Sequence, residues 1–135
     1  FEAVRAGDEQ GLAELLARAE SVGVNLNAIL ERGGQSLLMV AARHGHVSIV
    51  ERLLATHIDI DAQNEAGKTA LHIAAWKGHH EIVSCILNED AGAFVPDMDG
   101  RTALMTAAIR GDVAMVRMLL ERVEPRESEQ QYAHQ

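Results

Sequence analysis

The sequence predicts an all-α solenoid of about four helix-turn-helix units joined by hairpin-like turns. Similar segments begin at Gly34, Gly67 and Gly100, so the chain repeats every 33 residues. Within each segment, apolar residues recur at helical spacing on both sides of a central glycine. One such helix pair is too short to bury its apolar face alone, whereas stacked neighbours bury it together.

The repeat is strongest in three copies and weaker in a fourth. The strong copies read GQSLLMVAARHGHVSIVERLL, GKTALHIAAWKGHHEIVSCIL and GRTALMTAAIRGDVAMVRMLL, and the weak copy, AVRAGDEQGLAELL, opens the chain. We therefore expect a repeat domain over residues 1–123, with units of approximately 1–30, 31–63, 64–96 and 97–123. Residues 124–135 are mostly polar and contain Pro125 near their start, which predicts a tail or linker.

Each element of a unit has its own signal. Ser36, Thr69 and Thr102 are candidate N-caps, because a hydroxyl can accept hydrogen bonds from free N–H groups at a helix start. An alanine-rich first helix follows, whose small side chains allow close packing. A glycine then permits a left-handed turn. The second helix carries an apolar stripe, and a turn-rich stretch over 59–68 leads to the next unit.

Composition narrows the possible functions. Apolar residues make up 47% of the chain and aromatic residues only 3%, so the core must be mainly aliphatic. A net charge of -8 argues against sequence-independent binding to nucleic acid or anionic membranes. No apolar run is long enough to span a membrane. The single cysteine, Cys85, favours a reducing compartment, hence an intracellular location in cytoplasm, nucleus or both. Since the chain begins at Phe1, we expect it to be part of a longer protein.

The repeat resembles the ankyrin repeat. The family signature G-x-T-P-L-H-x-A-A-x-x-G-H is matched best from Gly67 onward, although Ala70 replaces the usual proline. The resemblance implies a non-catalytic protein-interaction module of a larger scaffold, adaptor or regulatory protein. It also leaves open direct inhibition of an enzyme such as a kinase, and nucleic-acid binding as a weaker alternative. It implies that His72 bonds to neighbouring turns, and that His46 and His79 support helix packing.

The sequence offers little catalytic or metal-binding chemistry. No set of His, Cys and carboxylate residues has metal-ligand spacing, so we expect no metal and no cofactor. No nucleophile elbow or phosphate loop is present, and the spacing of Cys85 places it against the core. We therefore expect no enzyme activity. The resemblance does place Asn27 and Asp61 at the hairpin position that asparaginyl hydroxylases can modify in this family.

The resemblance also locates a groove on the concave face. The two residues before each central glycine are expected to line it, together with the hairpin tips. Seven of the 12 Lys and Arg residues fall in these slots, opposed directly only by Glu65 and Asp99. The predicted partner-binding residues are the exposed or basic members of this set: Arg43, His44, Lys68, Trp76, Lys77, Arg101, Ile109 and Arg110.

Trp76 allows two interpretations. As the only tryptophan, it could pack over its neighbours and bury spare surface. We favour an aromatic anchor in a basic groove, because Trp and Arg most often dominate binding energy. The predicted partner is then a protein or peptide with apolar and acidic residues. The sequence leaves the oligomeric state open.

Overall fold

Short helices follow one another in pairs in the computed structural model, which describes residues 1–89, 91–92 and 94–121. The helices are α1 (Glu2–Ala6), α2 (Glu9–Val22), α3 (Leu37–His44), α4 (Val47–Leu54), α5 (Ala70–Lys77), α6 (His80–Asn88), α7 (Ala103–Arg110) and α8 (113–121). The predicted tail, 124–135, lies outside the described residues, as do the last two residues of the predicted repeat domain.

The helices form two layers. The first helices of successive pairs, α1, α3, α5 and α7, pack side by side in an inner layer. The second helices α2, α4 and α6 pack against one another in an outer layer, and α3 also contacts α4 as α5 contacts α6. This stacked arrangement confirms the predicted all-α solenoid.

The helix ends form as the sequence predicts. Ser36, Thr69 and Thr102 each accept a hydrogen bond from the main-chain N–H three residues later. The inner helices α3, α5 and α7 end at glycines whose φ angles are 75°, 75° and 73°. A residue with a Cβ is disfavoured in this left-handed region, so glycine fits these turns best.

The core consists of aliphatic side chains between the two layers. In the second unit, Ile49, Val50 and Leu53 of α4 are completely buried, while Val47 and Leu54 are partly exposed. Alanines of the inner helices, such as Ala42 and Ala75, also have no exposed surface. Small residues at these positions let adjacent helices approach closely, because larger side chains would have to be accommodated between them.

The first unit departs from the repeat in length. Helix α2 has 14 residues, whereas the corresponding helix α4 has 8. A 3₁₀ turn at Leu26–Ala28 follows α2. A short antiparallel hairpin comes next, formed by β1 (Leu30–Glu31) and β2 (Gln35–Ser36). The extra residues between the first two copies therefore lengthen the outer helix and its connection.

Successive hairpin turns are joined by main-chain hydrogen bonds. Glu65 N donates to Gly33 O at 3.0 Å, and Met98 N donates to Ala66 O at 2.9 Å. Gly67 lies at this junction with φ 77°, and a Cβ built there would come within 2.7 Å of Met98 N. Glycine is needed here both for its backbone conformation and for the close approach of the next turn.

Asp97 organises the last hairpin. Its buried carboxylate accepts hydrogen bonds from the main-chain N–H groups of Asp99 and Arg101, each at 2.9 Å, and from Lys68 Nζ at 3.1 Å. These donors, led by the Arg101 N–H, lower the pKa of Asp97 to about 2. The carboxylate is thus charged in the folded protein at any pH above that value.

This pKa predicts a pH-dependent contribution to stability. The pKa of Asp97 in the folded protein lies below the ordinary value of 3.8. The ionised carboxylate therefore stabilises the fold fully when the pH is above 3.8, and this contribution disappears as the pH falls through about 2. Asp97→Asn should therefore lower the melting temperature near neutral pH, and the gap to wild type should narrow as the pH falls from about 4 to about 2. Thermal unfolding followed by circular dichroism measures both. A gap that stays constant over that range would contradict this role for the carboxylate.

Candidate functional site

The inner helices and the hairpins together form a groove. The C-terminal ends of α3, α5 and α7 lie side by side because these helices stack in register. Beside them the structure has an open depression with a volume of about 390 Å³. The residues that line it, which we call the concave groove, are Arg43, Lys68, His72, Ile73, Trp76, Lys77, Arg101, Thr106 and Ile109.

Most of the predicted binding residues are brought together here. Of the eight, the two that do not line the groove are His44 and Arg110. Trp76 and Ile109 are the large apolar residues among the other six, and they are 54% and 60% exposed. A tryptophan that is half exposed has not buried its ring over its neighbours. This exposure leaves the indole available for contact.

Three lining residues are missing from the sequence prediction. His72, Ile73 and Thr106 form the floor and are at most 7% exposed. The prediction was based on exposed positions at helix ends and therefore passed over them. A periodicity signal was available, because Ile73 precedes Trp76 by three residues and Thr106 precedes Ile109 by three, which places each pair on one helix face.

His72 fixes the floor to the next hairpin. Its Nδ1 accepts a hydrogen bond from Thr69 N at 3.1 Å, so Nε2 carries the proton and donates to Arg101 O at 2.8 Å. The family resemblance implied such a bond to a neighbouring turn. The ring is therefore a structural element that joins the third unit to the fourth.

The groove is less basic than the sequence predicts. Lys68 pairs with the buried Asp97, and Arg5, the first-unit equivalent of Arg43, pairs with Glu31. The expectation that only Glu65 and Asp99 oppose the basic residues directly is wrong. Sequence position alone did not reveal the pairs, since each joins residues from different repeats that become neighbours only when the units stack.

The other two predicted residues, Arg110 and His44, lie outside the groove lining and have different surroundings. The guanidinium of Arg110 donates to the main-chain oxygen of Trp76 at 2.5 Å. Burial lowers the pKa of His44, and the electrostatic effects of His46 and of the nearby Arg5 lower it further. This shift favours the neutral form of His44.

Three cations of the groove keep their charge without an ionic partner. Within the described ranges, Arg43, Lys77 and Arg101 form no salt bridge, and all three side chains belong to exposed residues. They lie among the residues that surround Trp76 and Ile109. The site therefore combines an exposed apolar centre with three positive charges that have no ionic partner in the described part of the chain.

Asn27 and Asp61 lie at equivalent inter-unit positions. Asn27 Oδ1 accepts from Asp59 N at 2.6 Å, and Asp61 Oδ1 accepts from Gly92 N at 2.9 Å. Each side chain thus bonds to the connection that follows the next helix pair. Their hydroxylation stays a prediction.

The described side chains show no arrangement suited to catalysis by Cys85 or to metal binding. Burial, assisted by Glu51 and Glu81, raises the pKa of the Cys85 thiol and so disfavours the reactive thiolate. The cysteine is partly buried and packs against the core. In the part of the chain that the structure describes, no group of three or more His, Cys, Asp or Glu side chains is placed to hold a metal ion. None of the described helices is long and apolar enough to cross a bilayer.

A second depression lies outside the groove. It has a volume of about 350 Å³ and lies between the C-terminal ends of α2 and α4, where the longer α2 continues past its neighbour. None of the predicted binding residues lines it, and neither lysine nor arginine does. It lacks the combination of exposed aromatic ring and free cations that distinguishes the concave groove.

The stacked helix pairs and projecting turns define a helical-repeat solenoid. A family model for ankyrin repeats, in three copies, matches the chain over residues 1–95 and 38–130. The chain belongs to the ankyrin-repeat family, as its sequence resemblance indicates. Ankyrin repeats are generally protein–protein interaction modules.

Proposed function

We propose that this chain is a non-catalytic module that binds an extended segment of a partner protein in the concave groove. The observation that carries the proposal is the half-exposed Trp76 beside the exposed Ile109, with Arg43, Lys77 and Arg101 around them and unpaired among the described residues. An aromatic anchor with charged neighbours is the typical composition of a binding hot spot. The partner segment should therefore carry an apolar residue flanked by acidic ones.

The spacing of the repeat sets the length of the bound segment. Arg43, Trp76 and Ile109 occupy equivalent positions in three successive units. Packed helices lie about 8–10 Å apart, so these three positions span roughly 20 Å. An extended chain rises about 3.3 Å per residue, which corresponds to around six residues of partner.

A peptide is favoured over a nucleic acid as the ligand. The chain carries a net charge of -8, which opposes binding to a phosphate backbone at physiological salt. Three local cations are sufficient to orient a few carboxylates and to speed their approach. We place the module in a scaffold, adaptor or regulatory protein of the cytoplasm or nucleus, where a single unpaired cysteine is compatible with the redox conditions.

Selection from a random peptide library tests this function. Immobilised wild type should enrich peptides that carry an apolar residue next to acidic residues. Lys77→Glu should keep the apolar preference and reduce the acidic one, because it removes one cation and adds an opposing charge. Arg117→Glu, at an exposed position of α8 outside the groove lining, is the matched charge reversal and should select the same peptides as wild type. Enrichment of basic peptides, or the same selection by wild type and Lys77→Glu, would refute the proposal.

A further inference from the structure

At each junction between units, a side chain donates a hydrogen bond to the end of the preceding inner helix. The donor is a histidine at the first two junctions and an arginine at the third. At the first junction, His46 Nε2 donates to Arg5 O at 2.6 Å, and at the second, His79 Nε2 donates to Arg43 O at 3.3 Å. In both cases a ring from the following unit reaches back to the last turn of the preceding inner helix. A carbonyl oxygen only accepts, so each of these ring nitrogens is the donor. We call this contact the junction clasp.

At the third junction the histidine is missing. Asp112 stands at the equivalent position, 33 residues after His79, and an ionised carboxylate cannot donate to a carbonyl. Arg110, two residues earlier, donates to Trp76 O instead. Trp76 is the repeat equivalent of Arg43, so the acceptor is the same position of the preceding unit.

The spatial equivalence is visible at the turn glycines. A Cβ built on Gly45 would approach the ring of His79 to 2.9 Å, and one built on Gly78 would approach the guanidinium of Arg110 to 2.9 Å. Each donor thus lies over the glycine that ends the preceding inner helix. Arg110 occupies the place that histidine takes at the earlier junctions.

Asp112 has acquired other partners. It accepts hydrogen bonds from His80 Nε2 at 2.9 Å and from Met115 N at 3.2 Å. The bond from His80 is the main cause that lowers the pKa of Asp112. Replacing this aspartate with histidine would remove both contacts while supplying the missing ring.

We infer that Arg110 is a positioning residue for Trp76. Its hydrogen bond to the Trp76 carbonyl oxygen joins the end of α5 to α7. This bond sets the separation of Trp76 and Ile109 across the groove. The importance of Arg110 for partner binding rests on the proposed function, whereas its role in positioning Trp76 does not depend on that function. Arg110 then acts through the backbone that carries the indole.

The fluorescence of the only tryptophan tests the inference without a ligand. Arg110→Ala should lower the steady-state anisotropy of Trp76 in the folded protein and lower the melting temperature by about 5 °C. Arg117→Ala, which removes an exposed arginine from α8, is the control and should change neither. Far-ultraviolet circular dichroism confirms that each variant is folded.

Asp112→His distinguishes the loss of the junction hydrogen bond from a general loss of stability in Arg110→Ala. In the wild-type background, Asp112→His should lower the melting temperature, because Met115 N and His80 lose their acceptor. In the Arg110→Ala background the same substitution should raise both the melting temperature and the anisotropy, because the clasp of the earlier junctions is rebuilt. An effect of the same sign and size in both backgrounds would overturn the inference, as would an unchanged anisotropy in Arg110→Ala. Since no peptide is used, either result is independent of whether the groove binds one.

Discussion

Trp76→Ala is expected to weaken binding of a groove-selected peptide roughly thirtyfold while leaving the fold intact. A complex of micromolar affinity corresponds to a binding free energy of about -8 kcal/mol. Truncation of a hot-spot aromatic residue costs about 2 kcal/mol or more, which is a factor of about 30 in Kd. The indole is half exposed, so its removal takes little from the core. Isothermal titration calorimetry measures the affinity, and thermal unfolding measures the stability.

Leu15→Ala is the matched control for this substitution. Leu15 is 49% exposed on the outer helix α2, close to the 54% of Trp76, and it does not line the groove. Loss of a similarly exposed apolar side chain there should leave the affinity unchanged. If Trp76→Ala binds as tightly as wild type while Leu15→Ala binds weakly, Trp76 is not the anchor.

Ala75→Leu is expected to destabilise the fold by about 1–3 kcal/mol, because overpacking a close helix contact costs that much. Ala75 is completely buried in α5, a helix that packs against both α3 and α7. The added carbon atoms can be accommodated only by moving α5 away from a neighbour. The melting temperature should fall by roughly 3–15 °C, as measured by circular dichroism.

Ala66→Leu makes the same chemical change at an exposed hairpin position. It should alter the melting temperature much less, since Ala66 is exposed and does not belong to the hydrophobic core. Equal melting temperatures for the two variants would show that the assignment of buried and exposed positions in the repeat is wrong.

The stack could be predicted from sequence because its signals are local and repeated. The 33-residue period, the capping hydroxyls and the turn glycines each act within one unit. Residues that occupy equivalent positions of the repeat, such as Arg43, Trp76 and Ile109, could be assigned to one face of the stack for the same reason. The floor residues Ile73 and Thr106 followed the same periodicity and could have been found from it.

The electrostatics of the groove could not be predicted in this way. Whether a cation is free depends on side chains from other units, and those contacts form only after stacking. Lys68 meets Asp97 across 29 residues, and Arg110 reaches a carbonyl 34 residues earlier. A count of basic residues therefore overestimates the free positive charge of the groove. Of the four cations that line it, Arg43, Lys77 and Arg101 have no ionic partner among the described residues.

Nuclear magnetic resonance mapping of the bound peptide tests the central claim most directly. Amide spectra of the labelled protein, titrated with a library-selected peptide, report which residues meet the ligand. The proposed function predicts the largest shifts at Arg43, Trp76, Lys77, Arg101 and Ile109, including the indole N–H of Trp76. Shifts concentrated instead on the second helices of the pairs, for example at Arg52, Glu81 and Arg117, with the Trp76 indole unmoved, would show that the concave groove is not the binding site.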